Sequence, residues 1–413
     1  MRNLLLVFLL VSFSKNYAQT DYVSVYNNDA IIEKGDELFN NEKYDEALKE
    51  YQKISKTDPK YLKAQYEIGL TLNAQDKKTE FRALVEDLYK KGKMSDFPEL
   101  YKLYAMFLSN EKEYDLSEKI FKEGEKYLPN SSSYLYNFAL LYVRKKETQK
   151  AVDILENIIT NNPNHGLSHY LLGIIAFENG KITEGTLALM SYLIIAPTGQ
   201  YATQAVMQLN ANYGQNYMAE NKLVFSKSGD NFEEIETILR NQLPLKKVYK
   251  VKSNIDDNIT RQVQAVAEYA VEHKMENGFF ETTYIPWVKT LIEKNQFEGF
   301  SYYILLSMEE KMGKKLTSQK KKITTFYESY VKKDLWPVFG KRKLDMFGKV
   351  EEVMVSISDQ NPFIIGPQVN GEFEGKCKYL NVLGNLGGEL NFKNGKLDGL
   401  QKYYSEDGKL TQE

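Results

Sequence analysis

The sequence predicts a mainly α protein in three successive parts: a solenoid of paired helices, a mostly helical middle domain and a small antiparallel β-meander. Three observations predict it. Small residues and a closing proline recur on a beat of about 34 residues through the first half. From about Lys222 that beat is lost while helical apolar spacing continues. Near the end, glycines and aromatics alternate at one short spacing.

The 413 residues exceed what one core usually holds. Charged residues make up 27% and hydrophobic residues 42%, and the net charge of −2 gives the chain no overall draw toward nucleic acid or anionic membrane. Basic charge comes almost entirely from Lys, which lacks the bidentate fork that Arg brings to phosphates and bases, so nucleic acid is not expected as a partner. Residues 1–18 read as an export signal: Arg2, an apolar run from Leu4 to Phe13, and Ala18 before Gln19. That run is too short to span a bilayer, and no transmembrane segment is expected once it is removed. A periplasmic, cell-surface or secreted location follows as the expectation. The single cysteine, Cys377, rules out an internal disulfide and is expected as a small buried hydrophobe.

The beat starts with Ile31, Gly35, Leu38, Ala47, Tyr51, Ile54 and Pro59. Gly69, Phe81, Val85 and Leu88 continue it, and Ala105, Leu108, Ser117, Phe121 and Pro129 follow two residues late. Ala139, Tyr142, Ala151, Leu155 and Pro163 come next, then Gly173, Ala176, Gly185, Leu189 and Pro197. Small residues let paired helices approach, large ones fill the space between them, and proline ends the second helix of a pair. Tyr201 to Tyr213 reads as one further helix that covers the open end of the stack. The pattern resembles the tetratricopeptide repeat (TPR), and it sets a solenoid of about five repeats plus a capping helix over residues 28–213.

That resemblance implies a concave face lined by the first helix of each unit, which binds peptides or partner helices. The unit positions that usually line it include Ile32, Phe39, Tyr66, Leu70, Met106, Tyr136, Leu140, Tyr170, Ile174 and Phe177. The best-known variant grips a C-terminal carboxylate with Lys and Asn, but Ile32 and Asp36 stand at the first such positions here. An apolar or amphipathic protein segment is therefore the expected partner. A face this apolar is also open to filling by the chain's own downstream helices.

In the middle domain, 222–349, Lys222–Ser226 and Leu245–Val251 alternate as short strands, and Asn231–Gln242 reads as a helix. Further helices are expected over Asp257–Lys274, Glu281–Lys294, Phe297–Lys311 and Leu316–Lys333. Phe297–Met308 is apolar nearly all round and belongs inside a bundle. The combination looks similar to exported bacterial TPR proteins, a resemblance that implies no activity. Lysines dominate Lys311–Lys343, either as a patch for an anionic envelope polymer or as a solvated face with Ile323, Phe326 and Tyr330 turned inward. The second reading is preferred.

The run Leu383–Tyr404 is rich in glycine, but no Gly-Lys-Ser/Thr follows and no amphipathic helix succeeds it, so it is no phosphate loop. Its glycines instead keep one spacing: Gly371, Gly375, Tyr379; Gly384, Gly388, Phe392; Gly395, Gly399, Tyr403. With Asn394-Gly395 as a hairpin signal, 366–413 resembles a MORN-type β-repeat module, in which glycine makes turns and close strand approaches.

Little points to chemistry. His165 and His169 stand i, i+4, but Gly166 occupies the place of the glutamate in a zinc-protease motif, and His169 falls on a packing position. No catalytic, cofactor-binding or metal motif is read, so neither cofactor nor metal is expected. The expectation is a non-enzymatic exported scaffold for a protein partner. The alternatives are an envelope-polymer or carbohydrate binder using the aromatic- and Lys-rich C-terminal half, and a hydrolase built from residues that no motif reveals.

Overall fold

A computed structural model describes residues 27–212, 229–356, 363–381, 384–405 and 408–413. The leader and the strand expected at Lys222–Ser226 lie outside them. The fold is mainly α with a C-terminal antiparallel sheet, as predicted, and the chain divides into two compact units, 1–93 and 94–413.

The first unit holds two helix pairs, α1 (Asn28–Asn40) with α2 (Tyr44–Tyr51) and α3 (Tyr61–Ala74) with α4 (Lys78–Lys90). The Asn27 side chain accepts from the Ala30 amide and caps α1. Gly35 lies under the Tyr51 ring, where any Cβ would overlap it. That contact lets Tyr51 reach Asp36 with a 2.7 Å hydroxyl hydrogen bond.

The second unit continues the pairs with α5 (Glu99–Asn110) and α6 (Tyr114–Glu125), α7 (Ser132–Arg144) and α8 (Thr148–Asn161), and α9 (Gly166–Glu178) and α10 (Ile182–Ile195). One device closes the first helix of every pair in both units. Glu42, Asp76, Lys112, Lys146 and Gly180 adopt φ of 60°, 55°, 65°, 62° and 72°. The following amide then donates to the carbonyl five residues back, Lys43 to Leu38, Lys77 to Leu72, Glu113 to Leu108, Glu147 to Tyr142 and Lys181 to Ala176, each at 2.9 Å.

Beyond the pairs come α11 (Ala202–Asn212), α12 (Glu233–Arg240), α13 (Asn258–Glu272), α14 (Phe279–Val288), α15 (Thr290–Glu293) and α16 (Phe297–Tyr303). They are followed by α17 (Glu309–Met312), α18 (Lys314–Thr317), α19 (Lys320–Phe326), a π-helix (Tyr327–Leu335) and α20 (Trp336–Phe339). Helix α10 is the centre. Every residue from Ile182 to Ile194 is buried, because its sequence is apolar nearly all round and needs cover on every side. Its pair partner α9 supplies one side, and α11, α12, α13 and α14 supply the others. A second core of rings forms where Trp287 meets Phe300 and Phe339 at centroid distances of 6.2 and 6.0 Å.

The strand expected at Leu245–Val251 does not form; a 3-10 turn at Leu243–Leu245 leads into irregular chain. Among the described residues no strand pairs with it, and α13 side chains take its backbone bonds. Gln264 accepts from the Lys252 amide and donates to the Lys250 carbonyl, and Arg261 donates to the carbonyls of Pro244, Lys246 and Tyr249. The helix expected over Phe297–Lys311 breaks at a 3-10 turn, Leu306–Met308.

The sheet begins earlier than the glycine spacing suggests. Its strands are β1 (Lys341–Met346), β2 (Lys349–Val355), β3 (Phe363–Gly366), β6 (Gly375–Leu380), β7 (Leu386–Lys393), β9 (Lys402–Tyr404) and β10 (Leu410–Gln412), paired antiparallel in that order. Of the short strands, β8 (Lys396–Leu397) pairs with β7, while β4 (Gln368–Val369) and β5 (Glu372–Phe373) form a separate ribbon. Phe347 and Gly348, with φ of 57° and 90°, make the tight β1–β2 turn. A phenylalanine in that place hides the turn from a sequence reading. Cys377 is fully buried against Gly366, and burial pushes its thiol up to about 12, so it is an inert packing group. Gly384, at φ +79°, lies against the Asn130 backbone with no room for a Cβ, and beside it the Asn385 side chain donates its Nδ2 to the Tyr127 carbonyl at 3.0 Å. The sheet is thereby tied to the α6–α7 connection.

Candidate functional site

In the first unit the expected partner face divides. Ile32 is 2% exposed and belongs to a cluster with Ile31, Ile54 and Ala64, so it packs the pair and is unavailable to a partner. Phe39, half-buried, meets Tyr44 edge-on at 5.4 Å. Tyr66 and Leu70 are half-buried on α3.

In the second unit Met106 is exposed on α5, Tyr136 and Leu140 are half-buried on α7, and Tyr170 and Ile174 are half-buried on α9. Phe177 is a further correction. Its ring lies over Gly185 of α10, it is 2% exposed, and it holds the α9–α10 pair together. The family position is kept, but here its side chain serves the hairpin.

Around Tyr136 and Tyr170 the structure assembles more than the repeat positions indicate. Tyr170 stacks on Tyr201 at 4.8 Å and leans against Tyr192 at 5.3 Å, while Tyr136 meets His165 edge-on at 5.6 Å. The Tyr192 hydroxyl accepts from the Tyr201 amide. Burial, then the neighbouring hydroxyls of Tyr201, Tyr170 and Tyr192, push Tyr136 up to about 12. Tyr192 lies on a second helix and Tyr201 in a connection, so neither falls on a groove position. Tyr201 also answers the question of self-filling for this end: the chain's own ring covers Tyr170, and α11 packs on α9. Met106, at 36% exposed, and the half-buried Leu140 keep surface toward solvent.

The titratable groups are engaged in structure. His169 is fully buried, with Nδ1 bonded to the Tyr284 hydroxyl at 2.9 Å and Nε2 to the Pro163 carbonyl at 2.8 Å, so neither nitrogen is left for a metal. Burial holds it down to about 3. His165 Nδ1 bonds Ser168. Burial works against the charge of Glu281, but the amides of Asn231, Glu276 and Gly278 and the His273 ring bond it and hold it below the usual carboxylate range. Carboxylates also gather between α10 and α12. Burial pushes Glu184 up to about 7 and Asp230 up to about 6, while Glu236 accepts from the Thr183 amide and pairs with Arg240 at 3.0 Å. Among the described residues no group of three or more His, Cys, Asp or Glu could hold a metal ion.

In the lysine-rich stretch Ile323, Phe326 and Tyr330 are buried, and Lys320, Lys322 and Lys332 pair with Glu309, Glu298 and Glu328. No helix among the described residues is long and apolar enough to cross a membrane.

The model of the tetratricopeptide repeat family matches residues 32–95. No curated protein matches the chain. Among solved structures, "Structure of Naa15/Naa10 bound to HypK-THB" matches over 75% of this chain and 43% of that chain, at 15% identity and a TM-score of 0.31. This chain thus spans less than half the length of that one, and so slight a likeness carries no function across. The protein carries tetratricopeptide repeats, and repeats of this kind are protein-interaction scaffolds.

Proposed function

We propose that the chain is an exported, non-enzymatic scaffold that holds an apolar or amphipathic segment of a protein partner on the first-helix face of α5, α7 and α9. The observation that carries the reading is the run of Met106, Tyr136, Leu140, Tyr170 and Ile174, all partly open; on α5 and α7 every other large apolar residue except Val143 is buried, while Leu167 and Leu171 of α9 are half-buried as well. Rigid aromatics flanked by flexible aliphatics suit the capture of a helix or strand at low entropic cost. The C-terminal sheet, read as a MORN-like module, is an accessory surface. Against the envelope-polymer alternative stands the pairing of Lys320, Lys322 and Lys332 with carboxylates.

Photo-crosslinkers placed at Met106 and Leu140 in intact cells are expected to capture one segment of a second protein. Met106→Asp with Leu140→Asp is expected to weaken that capture at least ~10-fold, the scale of a lost hot spot, while the thermal midpoint stays unchanged. Crosslinks running only within the chain would overturn the scaffold reading. The export part rests on Arg2, Leu4–Phe13 and Ala18. Amino-terminal sequencing of the protein recovered from its source is expected to start at Gln19, and an uncleaved chain inside the cell removes that part alone.

A further inference from the structure

Helices α5, α7 and α9 carry one lysine and one arginine between them, Lys102 on α5 and Arg144 on α7. The residue after Arg144 is thoroughly neutralised: Lys145 pairs with Asp115, Glu118 and Glu147 at 3.0, 2.5 and 3.3 Å. Lys102 and Arg144 differ. Among the described residues neither forms an ion pair, and each donates instead to a serine on the other helix. Lys102 Nζ bonds Ser133 Oγ of α7 at 3.3 Å, and Arg144 Nη1 bonds Ser109 Oγ of α5 at 2.6 Å. Burial pulls the half-buried Lys102 ammonium down, while Glu99, one turn earlier, supports its charge from beyond ion-pair distance. Arg144 is exposed, and only its Nη1 is bonded among the described residues.

These two bridges enclose an apolar strip. Lys102 stands four residues before Met106, and Arg144 four residues after Leu140, so each cation shares a helix face with a partly open apolar residue. The serines fix the order along the seam. Ser133, at the start of α7, lies by Lys102, and Ser109, at the end of α5, lies by Arg144. The two helices therefore run side by side in the same direction, with a cation toward each end and Met106 and Leu140 between. Lys102 and Ser109 are seven residues apart, which is about 10 Å along the axis of α5.

We propose that this strip binds an amphipathic helix of the partner that presents acid, apolar, apolar and acid at i, i+3, i+4 and i+7. Its carboxylates lie on Lys102 and Arg144 and its apolar pair on Met106 and Leu140. The proposal rests on the scaffold reading and adds the chemistry of the partner. A helix repeats such a face over the same distance of about 10 Å, so both charges are met at once. Opposite charges at the ends of an apolar contact set its register and reject apolar segments that lack them.

The test titrates the full chain with two alanine-based peptides capped at both termini. One carries Glu, Leu, Leu and Glu at that spacing, and the other carries Gln in place of both Glu. Capping removes the terminal carboxylate, so any preference reports side chains alone. The acidic peptide is expected to bind saturably and at least ~10-fold more tightly than the Gln peptide, with the gap narrowing as salt is raised. Arg144→Glu is expected to abolish that preference and to favour a third peptide with Lys in place of one Glu, a rescue that a merely structural arginine would not give. Lys102→Gln is expected to weaken the acidic peptide at least ~10-fold and keeps the test decisive if the Arg144 variant misfolds. Equal affinity for the acidic and Gln peptides, or a preference unchanged in either folded variant, would overturn the proposal and leave the scaffold reading standing. No binding of any peptide in the millimolar range would also overturn it, whereas crosslinks from Met106 and Leu140 running only within the chain would overturn both.

Discussion

At the scale of single residues, the end of the repeat array sets two buried titrating groups in opposition. The folded Glu184 is pushed from 4.5 up to about 7, first by burial and next by its neighbours, with Lys181 pulling the other way and Glu236 and Asp230 adding to the rise. The folded chain therefore holds that proton more tightly than the unfolded one. Its contribution is fully present below about pH 4.5 and is lost as pH rises through 7. His169 runs the other way: with its folded value near 3, its contribution is present above about 6.5 and is lost as pH falls. Relative to the parent chain, Glu184→Gln is expected to raise the urea midpoint more at about pH 8 than at about pH 5. An equal offset at both pH values would show that Glu184 does not titrate in this way. His169 as a core residue was legible from its repeat position. Its partner Tyr284, 115 residues away, was not, because no local spacing encodes a contact between parts with different periods. Arg342 falls inside the lysine-rich stretch, where nothing local sets it apart; its inward, period-2 position on β1 depends on the β1–β2 turn, which Phe347 conceals.

At the scale of elements, the helix pairs were readable because small residues at their crossings and prolines at their ends repeat in phase. The turn inside each pair was not, although it is the most regular part of the backbone. Three of its five left-handed positions carry Glu42, Lys112 and Lys146, residues that are sterically strained there and give no turn signal. Only Gly180 and Asp76 have the expected chemistry. Replacing Lys112 and Lys146 together with glycine is expected to stabilise the second unit by about 0.5–1 kcal/mol per site, the strain relieved exceeding the entropy added to the unfolded chain. Denaturant titration reads the gain, and a loss of stability would mean that the lysine side chains contribute more than their backbone costs. The strand expected at Leu245–Val251, which does not form, makes the complementary point. Alternation alone does not make a strand when Gln264 and Arg261 of a neighbouring helix satisfy the same backbone groups.

At the scale of the whole molecule, the division at Lys93 and Met94 falls inside the repeat array, not between the array and the helices after it. The sequence placed no boundary there, since the beat runs through it with only a two-residue delay. Heating or denaturant is expected to separate two transitions, the one from residues 27–93 at the lower midpoint because that unit is small. Hydrogen exchange along the chain resolves them, and a single cooperative loss of protection from α1 to β10 would contradict the division. The wrapping of α10 also bears on ancestry. Arrays of this kind lengthen when a gene segment encoding one pair is copied beside itself, and the newcomer must stack on an existing pair. Helix α10 is wrapped on every side by α9 and by four helices outside the beat, so a copy inserted after it would find no vacant neighbour. Descendants of this protein can gain or lose pairs only upstream of α9, and variation in repeat number among its kin should be confined to that end.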